Sequence, residues 1–320
     1  MRPILIGICA AFFFAFTFVL NRSISLSGGS WMWNASLRYF FMVPLLILLV
    51  GRHRLPPLWA EIRRNPGAWL LWSCVGFGLF YAPLCLASDY SPGWLIAGTW
   101  QITIISGSLL APLFKQNKDG RLVRGTVPWR GMGFSLMILL GILLIQAEHF
   151  TWNDPSALLL GLLPVLLASF AYPLGNRKMM DLCSGRLSAT QRLLGMTLLS
   201  MPFWLLLAVF GWIESGVPSS GLVFQSALVA ILSGIIATAL FFRATDAVHG
   251  DMQKLGAVEA TQSLEVLFAV IGEVLILSAP LPAVWGWLGM ALICLGMAAQ
   301  SAWSVRASRR TEHLSAPSSG

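Results

Sequence analysis

The sequence predicts an all-α polytopic membrane protein: ten transmembrane helices in two inverted five-helix repeats, with both chain ends in the cytoplasm. Three observations carry this prediction. Of the 320 residues, 57% are hydrophobic and only 11% are charged, far from the balance of a soluble domain. The Lys and Arg residues gather in alternate gaps between apolar runs, as topology signals do. The two halves also repeat the same landmarks at nearly one spacing. Given that placement, the net charge of +8 reads as a membrane-orientation signal and not as a nucleic-acid surface.

A bilayer core needs about 20 apolar residues per helix. The stretches that qualify are 3–20, 31–50, 68–88, 93–114, 131–147, 155–175, 193–213, 221–242, 255–277 and 283–304. The first follows Arg2 with no small-residue cleavage site, so it reads as a retained helix and not a signal peptide. Only the second span, with Arg38, and the ninth, with Glu259, Glu265 and Glu273, contain charged residues. One set of loops holds Arg52, Arg54, Arg63 and Arg64, then Lys115 to Arg130, then Arg177 to Arg192, then Arg243 and Lys254. The opposite loops hold Arg22 alone among basic residues, with Asp89, Glu148, Asp154 and Glu214. The basic set marks the cytoplasmic side. Residues 305–320 are polar and read as a disordered tail.

The halves, 1–147 and 148–304, match in order. Asn21-Arg22 closes the first span and Asn176-Arg177 the sixth; Pro44 matches Pro202, and Asp89 matches Asp246. Gln101 in the fourth span matches Gln262 in the ninth, and Gly131 and Gly141 match Gly286 and Gly296. The offset stays between 155 and 161. Because each repeat has an odd number of spans, the second must sit upside down relative to the first, an arrangement that underlies alternating access.

The ninth span is the chemical centre. Glu259, Gln262 and Glu265 recur every three residues, forming a slowly drifting stripe. Glu265 lies eleven residues past Lys254, or roughly 16 Å deep at about 1.5 Å per residue, near the bilayer midplane. A carboxylate there costs a few kcal/mol, and burial disfavours its charged form. A carboxylate that holds either a proton or a cationic substrate, but not both, couples two flows. The competing reading of Glu265 is a structural hydrogen bond to a neighbouring helix or to Arg38. Glu273 lies toward the outside. Arg38 sits about 10 Å below the outer end of the second span, with Asn34 one turn away on the same face. It calls for a carboxylate partner, Glu273 by depth and Glu265 second, as a static pair, an outer gate, or an anchor for a substrate carboxylate. In the fourth span Trp100 offers a π-face beside Gln101. Tyr172, Asn176 and Gln225 are weaker lining candidates.

Enzyme chemistry has no support. The five cysteines are scattered, and the four histidines fall in loops or the tail. No metal-ligand spacing and no GxSxG, Walker or HExxH pattern occurs. No cofactor or metal is expected.

At WNASLRYF (33–40), AGTWQITI (97–104) and AVEATQSLEVLF (257–268) the chain resembles the EamA-like, ten-helix multidrug resistance efflux transporters of the drug/metabolite transporter superfamily. Many superfamily members carry Glu-Pro in the ninth helix; here the pair is Glu265-Val266. The resemblance implies a bacterial cytoplasmic-membrane exporter with a central cavity, coupled to protons, acting on a small molecule as a monomer or homodimer. Two other readings stand beside it: an uncoupled metabolite exporter or facilitator, and a non-transporting sensor or assembly subunit.

Overall fold

The computed structural model describes residues 2–118, 121–127, 132–149, 155–247, 258 and 260–315. The spanning part is all-helical. The first half comprises α1 (Arg2–Leu26), α2 (Trp31–Val50), α3 (Leu55–Arg64), α4 (Pro66–Ser73), α5 (Leu79–Tyr90), α6 (Gly93–Trp100), α7 (Ile102–Leu109) and α8 (Met132–His149). The second comprises α9 (Pro155–Cys183), α10 (Ala189–Leu199), α11 (Met201–Ser215), α12 (Ser220–Val229), α13 (Thr238–Asp246), α14 (Leu264–Leu277) and α15 (Val284–Ser315). Large apolar side chains such as Leu48, Leu143, Leu205, Ile213 and Leu275 are exposed, more than a water-soluble surface carries. The chain is a multi-pass membrane protein.

Six helical stretches among the described residues are long and apolar enough to cross a bilayer, or seven if α10 and α11, bent by 45° at Ser200, form one span. Three of the ten expected spans fall short by that measure, each for a visible reason. The fourth is split into α6 and α7 at Gln101. The ninth carries a 3-10 turn at Thr261–Ser263 before α14. The fifth is short, an apolar stretch of 133–147.

Other ends differ from expectation. α1 and α9 run past Asn21-Arg22 and Asn176-Arg177, which therefore lie inside helices. Both arginines use the extra length to reach a carbonyl on another helix: Arg22 Nη1 donates to Ser88 O at 2.7 Å, and Arg177 Nη1 to Gly107 O at 2.5 Å. α15 continues through Ser315, into residues expected to be disordered; Ala, Arg and Glu in this stretch are good helix formers. A two-stranded hairpin, β1 (Lys115–Lys118) with β2 (Arg121–Arg124), departs from the all-α expectation. The sequence Asp119-Gly120 between the strands is a strong hairpin signal.

Two irregular turns are placed alike. α4 and α5 are joined by a π-helical segment at Cys74–Gly78, and α12 and α13 by another at Ala230–Ala237. Gly76 and Gly234 stand at an offset inside the window of the sequence landmarks. The packing also pairs up. α8 lies along α15, α2 crosses α10 and α11, and α6 touches α14. α1 packs on the second π segment and on α14, while α9 packs on the first π segment and on α6 and α7. α8 and α15 approach so closely that a Cβ on Gly141 would stand 2.5 Å from Gly289 O, and one on Gly289 2.5 Å from Gly141 O.

At the Arg-rich end, α3 is fastened to the α9–α10 turn. Arg186 Nε and Nη2 grip the Glu61 carboxylate at 2.8 and 2.7 Å, and Arg64 adds a contact at 3.2 Å. Glu61 is buried, and the Arg186 hydrogen bonds hold its carboxyl below the usual carboxylate range. A depressed folded value contributes stability above the unfolded pKa of about 4.5, and that stability is lost as pH falls through the folded value. Arg186→Gln is therefore expected to move the acid-unfolding midpoint of the detergent-purified protein to higher pH. An unchanged midpoint would discard this clasp.

Candidate functional site

The site is built at the two helix interruptions. Ahead of Gln101, Thr99 Oγ1 donates to Leu95 O and Gln101 Nε2 to Ala97 O. After it, Thr103 Oγ1 donates to Trp100 O at 2.6 Å. Around the ninth-span turn, Thr261 Oγ1 donates to Val258 O at 2.6 Å and Ser263 Oγ to Ala260 O at 2.8 Å. Side chains that return hydrogen bonds to carbonyls in their own helix favour a bend, although Ser36 and Ser88 do so inside unbroken helices, and freed backbone is tolerated in a membrane where it borders a cavity. Both interruptions border one.

That cavity holds about 520 Å³. Gln101, Trp100, Gln262, Glu265 and Arg38, all expected at the site, line it together, with residues from both halves of the chain. Tyr172 and Asn176 line it too, whereas Gln225 and Asn34 do not. Toward the Arg-rich end the lining comes from Ala189 and Arg192 in the first turn of α10 and from Phe241 and Phe242 in α13.

Glu265 is 6% exposed, and what exposure it has is into the cavity. Among the described residues, no hydrogen bond and no ion pair engages its carboxylate. Glu259 lies outside the described residues. Gln262 Nε2 reaches Gly7 O at 3.5 Å and Thr261 Oγ1 at 3.3 Å. Trp100, Phe80 and Tyr172 form a ring cluster, with centroids 5.1 Å apart for Phe80–Trp100, 4.7 Å for Phe80–Tyr172 and 5.6 Å for Trp100–Tyr172. Tyr172 stands within electrostatic reach of Glu265, Arg192 and Arg38.

Arg38 corrects an expectation. Its guanidinium lies 4.0 Å from the Tyr81 ring centroid and 6.0 Å from that of Tyr39, and no carboxylate pairs with it among the described residues. Nε and Nη1 are buried without a hydrogen-bond partner. Glu273, the partner expected by depth, is drawn elsewhere: Gly93 N–H, at the start of α6, donates to its Oε1 at 2.6 Å. A helix N-terminus offers free N–H groups and a partial positive charge, and the arginine within electrostatic reach of Glu273 is Arg22, not Arg38. Its Oε2 is buried without a hydrogen-bond partner among the described residues. Asn34 also turns away from the cavity. It donates to Asn21 Oδ1 at 3.0 Å and accepts from Ser226 Oγ at 3.2 Å, while Tyr81 Oη donates to the same Asn21 oxygen. This buried network ties α1, α2, α5 and α12 together beyond Arg38, on the side away from the Arg-rich loops.

The sequence places Arg192 among the loop residues. The sign of its true place is the capping box at Ser188–Gln191, which starts α10 and puts Arg192 in its first turn.

A family model described as "EmrE: Putative multidrug resistance efflux transporter" matches residues 1–306. The chain belongs to this family. It is 53% identical over 302 residues, 93% of each chain, to "Uncharacterized protein YjlA" of Bacillus subtilis (strain 168). It is 48% identical over 267 residues to "Uncharacterized 42.1 kDa protein in intracellular alkaline protease 3'region" of Shouchella clausii, covering 83% of this chain and 70% of the relative. The family is one of transporters, so a small-molecule substrate and a place in the membrane come with membership.

Proposed function

We propose that the chain is a proton-coupled exporter of small organic compounds in the bacterial cytoplasmic membrane, working by alternating access, with Glu265 as the coupling carboxylate. One observation carries this reading. Glu265 is a carboxylate without a partner among the described residues, facing a cavity that both halves of the chain line. Intramembrane ionisable groups with no structural partner mark transport pathways.

Further features support ten spans in two inverted repeats. The matched π segments, the reciprocal Gly141–Gly289 contact and the helix pairings are those that a pseudo-twofold axis in the membrane plane would generate. Interrupted helices at the site are also typical of secondary transporters. With the basic loops in the cytoplasm, the cavity opens inward, and the Asn21–Asn34–Tyr81–Ser226 network seals the outside.

The second reading, an uncoupled metabolite exporter or facilitator, draws on Arg38, which would then anchor a substrate carboxylate. Flux in proteoliposomes over a compound panel, with and without a pH gradient, decides between them. Accumulation that follows the gradient upholds coupling; flux that ignores its collapse favours the facilitator. No flux of any compound favours a non-transporting role.

A further inference from the structure

Two side chains of opposite charge face the cavity, and among the described residues neither has a counter-ion. Arg38 comes from α2 in the first half, lines the cavity and is 7% exposed, while its Nε and Nη1 are buried out of a guest's reach. Glu265 comes from α14 in the second half and is 6% exposed. They form no ion pair with each other. A buried arginine stays charged, whereas a buried carboxyl alone takes up a proton, so a guest that brings an anion to Arg38 and a cation to Glu265 answers both. The third element is the Phe80–Trp100–Tyr172 ring cluster, which lines the same cavity.

We propose that the cavity takes a zwitterion with a flat apolar body. Its carboxylate is held by Arg38, its cationic nitrogen by Glu265, and its ring by Trp100, Phe80 and Tyr172. The inference rests on the transporter reading and deepens it by naming the substrate class. A lipophilic cation satisfies Glu265 but meets a like charge at Arg38; a simple anion does the reverse. Unpaired and repelling groups of this kind are how sites reject near-misses. Arg192, in the first turn of α10, adds positive potential that draws a carboxylate inward. At about 520 Å³ the cavity lies within the usual range for small-molecule sites. The cationic nitrogen and a proton compete for one carboxylate, which is the exclusion that antiport requires.

The test uses three probes with one body: phenylalanine carries both charges, 2-phenylethylamine the cation alone, and 3-phenylpropionate the anion alone. Calorimetric titration of the purified full-length protein is expected to show phenylalanine binding at least about tenfold tighter than either of the others. Arg38→Gln is expected to reduce phenylalanine to the level of the amine, and Glu265→Gln to that of the phenylpropionate. Arg38→Lys, which keeps the charge, is expected to retain part of the preference and covers the case in which Arg38→Gln fails to fold. Equal or tighter binding of the amine or of the phenylpropionate overturns the proposal, as does binding of none of the three. Should pH-driven flux of a lipophilic cation occur without phenylalanine binding, the zwitterion site fails while the exporter stands. Selective phenylalanine binding with flux blind to the pH gradient leaves the site intact and removes the coupling.

Discussion

Glu265→Gln is expected to abolish pH-driven accumulation of substrate in inside-out vesicles while leaving substrate exchange across the membrane measurable. Gln keeps the size and hydrogen-bonding capacity of the side chain and loses only the proton that can come and go. A gradient of one pH unit supplies about 1.4 kcal/mol per proton, or about tenfold accumulation for one-for-one exchange. The variant should fall to no accumulation at all. Glu214→Gln, which alters an exposed carboxylate, should accumulate like the native protein. Undiminished gradient-driven uptake by the Glu265 variant would remove this residue from the coupling step.

The second large effect concerns folding. Gly141→Leu is expected to destabilise the α8–α15 pair by ~3 kcal/mol, the upper end of ordinary overpacking. The obstacle is backbone: the first added carbon already stands 2.5 Å from Gly289 O, and Ile293 closes the other side at 2.8 Å. No side chain can swing away to relieve the first contact. Gly133→Ala, on the same helix, meets nothing within 4 Å and should gain a few tenths of a kcal/mol to about 1 kcal/mol from helix propensity. Unfolding midpoints in detergent compare the two. Equal stability of Gly141→Leu and the native protein would show that the helices are not in contact there.

Much of the site was legible because charge in hydrocarbon is rare and therefore conspicuous. Glu265, Gln262, Gln101, Trp100 and Arg38 stand out against apolar surroundings, and they do meet at one cavity. What failed was partner assignment. Depth along a helix is one coordinate, whereas pairing needs azimuth and the identity of the neighbouring helix. Glu273 and Arg38 match in depth, yet Glu273 meets the start of α6 and Arg38 meets Tyr81. Helix ends were misplaced for a similar reason. Apolar periodicity carries no break signal at Gln101 or Thr261, and the hydroxyl and amide bonds beside them are no signal either, because Ser36 and Asn176 make the same bonds within unbroken helices. Arg192 escaped because a basic residue near an apolar run looks like a loop, and the capping box before it marks a helix start that hydropathy does not register.

The wide turns at Cys74–Gly78 and Ala230–Ala237 give each half of the bundle a built-in joint. Their amides bond out of step with the ordinary helical ladder, so less energy separates the closed turn from one that has loosened. Hydrogen exchange in these two stretches should run ahead of α4 and α12 beside them, and by similar factors in both. On the alternating-access proposal, these joints, one in each half of the chain, are where the bundle would flex without any helix having to melt.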